Sequence, residues 1–522
     1  MPSVEELYQA SRRAYQQGND AEGDRLEAEA KRGKRVSDLP LTDRTEEGVA
    51  DYFVTMFADE LRFVPKFGWF QWAGSHWEQD EAGEVYGHFR EVTARLRKQW
   101  GAMPKETDEQ KARAKAFGQF VSRTRSARSH DAVLKIASRD PKLVIRPGEL
   151  DQQPTLLPCL NGTVDLTTGE LRDAKREDLL SRVVPVEYDT DAKAPQFEEF
   201  LRRVQPEWEM RDFLQRLLGY GLFGFVREHV FPIFYGDGAN EKSVLAQAVQ
   251  HVVGEYSQTV PRTLVVETGY EQHKTQIARL HRTRMGFIHE TERDARLNVE
   301  AVQMLTGGDV LTGHFMRKDF FDFVPSHALY LLSNWKPQVD AAMRAVWRRL
   351  LLIPFDVEIP VEEQDLSLAD KIVEEESAGV LRCLVEGAAW WWTFSQLRDG
   401  SSGLLPPKRV IDQTKEYQLQ EDIVGRFIDE CCDLGNGRKV QAGKLYTAYK
   451  SYCQREGIEK PATSNKFADA VQRVKGADGR RIGKSEKDSI DGRKYYDGIG
   501  LHASDEQDPR EAPDDDPGSW AF

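Results

Sequence analysis

"FPIFYGDGANEKSVLAQAVQHVVGEY" runs from Phe231 to Tyr256, and its reading decides the architecture. An apolar run from Phe231 to Tyr235 meets a Gly-Asp-Gly turn; Lys242-Ser243 follows, and apolar residues then recur at helical spacing. Strand, glycine-bearing turn, Lys-Ser and helix is the layout of a phosphate-binding loop. Backbone N–H groups at such a helix start, with the helix dipole behind them, hold phosphate oxygens. Gly236, Asp237, Gly238, Ala239, Asn240, Glu241, Lys242 and Ser243 make up the loop. Lys242 would neutralise β/γ-phosphates and Ser243 would ligate Mg²⁺. Glu241 stands where the motif has glycine. At about 5–6 Å and an effective dielectric near 20, its repulsion with a phosphate charge costs on the order of 3 kcal/mol. Lys242, Mg²⁺ or a side chain turned outward can offset much of that. The expectation is a real nucleotide site of reduced affinity or turnover.

Two further apolar runs support an α/β sheet around this loop. "RMGFIHETE" (284–292) reads as a strand ending in Glu290, where an acid can order a metal and activate water. "HALYLLSNWKP" (327–337) reads as a second strand ending in Asn334, a group able to sense a γ-phosphate. Ligands of open α/β sheets gather at the carboxyl ends of strands. Residues 230–356 alternate strands and helices throughout, the signature of an α/β core.

A chain of 522 residues with 40% hydrophobic and 30% charged residues is expected to fold as several globular units. No apolar stretch approaches the roughly 20 residues of a membrane span. The first residues lack a signal-peptide core, so a cytoplasmic protein is expected. Cys159, Cys383, Cys431, Cys432 and Cys453 show no metal-ligand spacing. The formal charge of −14 excludes a uniformly basic coat, although the local balance varies.

Around the core, residues 1–40 read as a polar helical arm and 41–195 as an α+β N-terminal domain. Its aromatic strands lie in 67–85, helices follow to about 130, and further strands lie in 156–173. Residues 196–229 read as a helical collar, 230–360 as the nucleotide core, and 361–420 as a helical part and linker. The Trp390-Trp391-Trp392 run, on a helix from 378 to 397, reads as buried packing. Residues 421–502 read as three helices and a hairpin with an Asp491-Gly492 turn, the winged-helix plan. The acidic tail 503–522 reads as disordered.

GDGANEKS, FIHETE, LTGGD, LLSNWKP and AVWRRLLLIPF, in this order, resemble superfamily 3 helicases of the phage and plasmid primase–helicase branch, related to the poxvirus helicase-primase. The resemblance runs from about residue 45 to 500. It implies a modified AAA+ P-loop ATPase core that binds ATP and Mg²⁺ and assembles as a homo-oligomeric ring, usually a hexamer. Such a ring translocates 3′→5′ on single-stranded DNA during phage, prophage or plasmid replication, alongside replication-fork proteins. Gly236, Gly238, Asn240, Lys242 and Ser243 match the phosphate loop and Glu290 the Walker B acid, with Glu292 a weaker companion. Asn334 matches the sensor. Arg348 or Arg349 matches the arginine finger that enters a neighbour's site. His289 replaces the usual second acid beside Glu290. No Asp-x-Asp pair with a downstream His lies on a plausible primase core before residue 200, so primer synthesis is not expected in this chain. The other reading is an origin-binding or scaffold protein whose ATPase Glu241 has weakened.

Residues 307–326 correspond to the superfamily's channel hairpin, which would offer Arg317 and Lys318 to DNA phosphates beside Phe315 and Met316. From Asn436 to Tyr495 there are 15 Lys/Arg against 7 Asp/Glu, a net of +8. Lys466 and Arg473 on the candidate recognition helix, with Arg480, Arg481, Lys484, Arg493 and Lys494 at the wing, form a footprint for duplex DNA. Arg90, Arg95, Arg97, Lys98, Arg123, Arg125 and Arg128 read as helical positions that either touch DNA or face solvent, the second reading being preferred.

Overall fold

The computed structural model describes residues 43–267, 274–289, 292–293, 295–314, 319–341, 343–397, 402–458, 461–474, 482–484 and 493–502. The arm 1–40 and tail 503–522 lie outside these residues, as do Glu290, Arg317, Lys318, Arg480 and Arg481.

Helix α1 (Glu46–Phe57) leads into an antiparallel sheet of β1 (Leu61–Val64), β2 (Gly68–Trp72) and β3 (Trp77–Gln79). Helices α2 (Val85–Gly101), α3 (Asp108–Thr124) and α4 (Ala127–Ala137) follow. The basic run 111–130 is two helices rather than one. Ser126 breaks it, its hydroxyl capping α4 by accepting from the Ser129 N–H at 3.3 Å. The four helices share a core containing Val49, Phe53, Phe89, Leu96, Phe120 and Leu134.

Strands β4 (Leu156–Cys159), β5 (Gly162–Asp165) and β6 (Glu170–Arg172) pair antiparallel in sequence order. Their buried residues Leu157, Cys159 and Val164 pack into the core of the large sheet, not onto α1–α4. Helices α5 (Pro195–Val204) and α6 (Trp208–Tyr220) come next, separated by Gln205-Pro206.

The central unit runs through β7 (Phe231–Tyr235), α7 (Lys242–Val253), β8 (Ser257–Thr259), α8 (Lys274–Ala278) and β9 (Met285–His289). It continues through α9 (Val299–Thr306), the hairpin β10 (Leu311–His314) and β11 (Phe320–Phe323), β12 (Ala328–Ser333), α10 (Arg344–Trp347) and β13 (Leu350–Pro354). Five strands form one parallel sheet in the order β13-β7-β12-β9-β8. The chain is thus α/β, and all five strands end on one edge. Both faces of the sheet are covered, which is why the strands read as unbroken apolar runs. Phe231 and Ile233 point to one face with Leu329, Leu331 and Leu352. Phe234 points to the other with Phe287, Tyr330 and Ile353, against α6 and α7.

Helix α11 (Leu368–Leu397) begins ten residues before its expected start and lies along α6 and α7. Only Trp391 of the tryptophan run is core: it is fully buried and donates from Nε1 to Glu228 Oε1 at 2.6 Å. Trp390 is 44% exposed. Gly219 and Gly387 bring α6 and α11 backbone to backbone. A Cβ at Gly387 would lie 2.1 Å from the Gln215 carbonyl oxygen, and one at Gly219 2.2 Å from the Ala388 nitrogen. The buried Glu376 carboxylate satisfies the start of α5, accepting from the Gln196 and Phe197 N–H groups, each at 2.9 Å.

Helix α12 (Lys408–Glu421) packs against β13. The last unit has its own core, built by α13 (Ile423–Cys431), β14 (Cys432–Gln441), α14 (Ala442–Arg455), α15 (Ser464–Arg473), β15 (Gly483–Lys484) and β16 (Tyr495–Leu501). Its antiparallel sheet has the order β14-β16-β15. Strand β14 is an addition to the three helices and hairpin read from the sequence. No helix among the described residues is long and apolar enough to cross a membrane.

Candidate functional site

Strand β7 lies between β13 and β12, with Tyr235 level with Pro354 on one side and Ser333 on the other. The chain leaving it turns beneath the segment that leaves β13. The Ile359 N–H donates to the Ala239 carbonyl at 2.8 Å, and Asn240 Nδ2 donates to the Phe355 carbonyl at 3.1 Å. Gly236 is required here, because a Cβ would stand 2.2 Å from the Phe355 carbonyl oxygen. Residues 236–243 therefore form a braced loop at the carboxyl edge of the sheet.

Lys242 is the first residue of α7 and is 5% exposed. Its ammonium donates to the Gly236 carbonyl at 2.8 Å, to Asn240 Oδ1 at 2.6 Å and to Asn334 Oδ1 at 3.1 Å. Three bonds use all three ammonium protons. Burial pulls the Lys242 pKa down to about 8, against the opposing pull of the Asp237 carboxylate. Ser243, next on the helix, is exposed, and its hydroxyl is accessible to an incoming ligand. Lys242 and Asn334 are 92 positions apart, and the parallel sheet brings their side chains into contact.

Glu241 sits at φ 55° and ψ 23°, in the left-handed region. That conformation costs an L-residue roughly 1–2 kcal/mol and suits glycine. The carboxyl makes no capping hydrogen bond. Burial raises its pKa; Arg203 on α5 opposes that shift, and Asp365 reinforces it. The charges acting on Glu241 thus lie on α5 and beyond β13, and Lys242 is not among them. Backbone strain joins phosphate repulsion as a reason for glycine at this position. Glu241→Gly should change unfolding stability by no more than about 1 kcal/mol, since glycine's greater unfolded-state freedom offsets the relieved strain. Nucleotide affinity or turnover should rise severalfold. Denaturant unfolding and nucleotide titration check both, and a fall in affinity would give the carboxylate an adapted role.

Strand β9 ends at His289; Glu290, the next residue, is outside the described residues. Glu292 is exposed and ion-paired with Arg262. Arg348 and Arg349 precede β13, whose first residue is level with Phe231, so they lie at the sheet edge opposite the loop. Arg348 is exposed. Arg349 donates from Nη1 to the Ala345 carbonyl at 2.8 Å, while its Nε is buried without a hydrogen-bond partner. Strands β10 and β11 form the hairpin on which Arg317 and Lys318 were expected, and these two residues fall in its undescribed tip. In the C-terminal unit Lys466 and Arg473 are exposed on α15, Lys484 is on β15, and Arg493 and Lys494 are exposed just ahead of β16.

Three contributors were not read from the sequence. The Phe355 carbonyl braces the loop, Arg203, itself paired with Glu363, lowers the Glu241 pKa through its charge, and Lys336 places its ammonium 5.0 Å from the Tyr235 ring centre. A backbone carbonyl leaves no sequence signal. Lys336 did leave one, two residues beyond Asn334.

Residues 50–206 match the family described as D5 N terminal like, and residues 419–476 that described as Poxvirus D5 protein-like. The chain is 26% identical over 304 residues to "Putative helicase L207/L206" of Acanthamoeba polyphaga mimivirus, covering 54% of this chain and 31% of that protein. It is 24% identical over 347 residues to "Putative helicase 121R" of Invertebrate iridescent virus 3, covering 61% and 37% respectively. The chain spans about a third of the length of these curated relatives. The apo structure of the NrS-1 C terminal region (305-718) aligns with 61% of this chain and 78% of its own at 10% identity, and its TM-score of 0.37 is too low to carry an argument. The two matched segments and the viral relatives bear out the resemblance drawn from the motifs to the primase–helicase family related to the poxvirus D5 proteins.

Proposed function

We propose that the chain is an ATP-dependent DNA helicase motor, built on a modified AAA+ P-loop core and working as a ring on single-stranded DNA during replication of a phage, prophage or plasmid. The observation that carries this reading is the contact of Lys242 with Asn334 at the carboxyl edge of an all-parallel sheet. A cation on the loop and a polar sensor on the next strand together provide for detecting a γ-phosphate. The loop and Lys242 would hold the triphosphate, and Ser243 with Glu290 would hold Mg²⁺. When bound, that ion would supply positive charge to the phosphate oxygens. The chain's own residues orient the nucleotide and exclude bulk water from Lys242.

The hairpin β10–β11 would couple hydrolysis to movement along the strand. The C-terminal unit, with the order α13-β14-α14-α15-β15-β16 and a local charge of +8, is read as a winged helix that orients the ring on duplex DNA. Mg²⁺-dependent ATP hydrolysis measured with and without single-stranded DNA, together with strand displacement, tests the proposal. Stimulated hydrolysis with unwinding is expected. Neutralising Arg317 and Lys318 should spare duplex binding and suppress unwinding. The strained Glu241 favours one alternative, an origin-binding scaffold with weakened ATPase. Duplex binding without DNA-stimulated hydrolysis would select it.

A further inference from the structure

The N-terminal helices carry a groove of about 800 Å³ whose charge is of one sign. Arg90, Thr93, Arg97 and Lys98 line it from α2, and Arg125 and His130 from the α3–α4 junction. No carboxylate lines it. Among the described residues none of these four cations has a carboxylate partner, whereas neighbouring Arg95 pairs with Glu91 at 2.8 Å, outside the groove. From Val85 to Ala137 the chain has twelve Lys/Arg against five Asp/Glu, a net of +7 in a protein of −14. Positions 90, 93, 97 and 98 fall on one helical stripe. Arg125, just before the break at Ser126, and His130 join that stripe in lining the groove. His130 Nε2 is enclosed and has no hydrogen-bond partner. Burial, and then Arg90, lower its pKa.

We propose that this groove binds the phosphate backbone of duplex DNA, as a site separate from both the channel hairpin and the C-terminal unit. It rests on the helicase reading above only in taking DNA as the ligand. Arg90 and Arg97 are seven residues apart, about 10.5 Å along the helix. That is the axial rise of about three nucleotides on one duplex strand. Phe89 is fully buried beneath the groove, and no Phe, Tyr or Trp lines it. A single strand held through its bases needs aromatic platforms. Unpaired cations without such platforms fit backbone contact to a duplex.

The test uses the full chain with Arg90, Arg97, Lys98 and Arg125 all changed to Gln, and fluorescence anisotropy on a labelled duplex across a salt series. Each lost phosphate contact lowers the slope of log affinity against log salt by about 0.9. The slope should therefore fall by about 3–4 and low-salt affinity by at least about tenfold. Basal ATPase and circular dichroism should match wild type. The four-Lys version should keep the slope. A control changing Lys111, Arg113 and Lys115 on α3 to Gln should shift it far less. Wild-type slope in the groove variant, an equal shift in the control, or loss confined to single-stranded DNA would overturn the proposal. Unchanged duplex binding with intact unwinding would discard the groove and keep the helicase. Absent stimulated hydrolysis with a reduced duplex slope would do the reverse.

Discussion

Lys242→Ala is expected to lower ATP turnover on the order of 10²–10³-fold, the cost of losing one positioned charge from a polar reaction site. Its ammonium is held in place by three hydrogen bonds, at least one of which an incoming phosphate oxygen would replace. Steady-state hydrolysis measures this directly, and equal rates for wild type and variant would remove the assignment. A pH signature accompanies it. In the free protein Lys242 titrates near 8, and bound phosphates favour its charged form. Above pH 8, nucleotide binding must therefore take up a proton, and affinity should fall as pH rises from 8 toward 10. Below pH 7 this dependence should vanish. Stability has its own sign. Lysine in an unfolded chain titrates near 10.4, so between 8 and that value the unfolded state binds more protons. The nucleotide-free protein should gain stability with rising pH in that window, and Lys242→Ala should flatten the gain.

Arg348→Ala is the second large effect, expected to be about 10³-fold or more if this residue is the trans-acting finger. Strand β13 spans about 13 Å from Leu350 to Pro354, and Arg348 precedes it, at the end of the strand away from the loop. A finger role for Arg348 would therefore require a second copy of the chain. Mixing Arg348→Ala with Lys242→Ala subunits should restore a fraction of the activity, because some junctions then combine an intact loop with an intact arginine. Arg349→Ala should act differently, chiefly on local stability, since Arg349 is half-buried and bonded to Ala345. Full activity in both arginine variants would end the finger assignment.

The parallel sheet was legible because buried strands must be apolar on both faces. Phe231–Tyr235, Met285–His289 and Ala328–Ser333 could hardly be anything else. The loop was legible from Gly236, Lys242 and Ser243 in their order. What escaped depends on distant partners or on punctuation. Strand β14 escaped because Gly435, Asn436 and Gly437 interrupt it where the register shifts between Leu434 and Lys439. The polar start of α11 hides its first ten residues, which Leu368, Ile372 and the buried Glu376 anchor through contacts far away in sequence. Asn240 reads as a loop residue, but the bond by which it bridges Lys242 to the Phe355 carbonyl joins positions 115 apart. Glu241 gave half its story: an occupied glycine position announced trouble, while the left-handed backbone explains part of it.

The α6–α11 seam has no cushioning layer. Where side chains fill a helix interface, rotamer changes absorb small displacements; at Gly219 and Gly387 main chain meets main chain and there is nothing to compress. The same α11 lies along α7, the helix that begins at Lys242. At these two glycines α6 and α11 are thus locked together like a shaft and its key, and any relative movement of the two helices has to be taken up elsewhere.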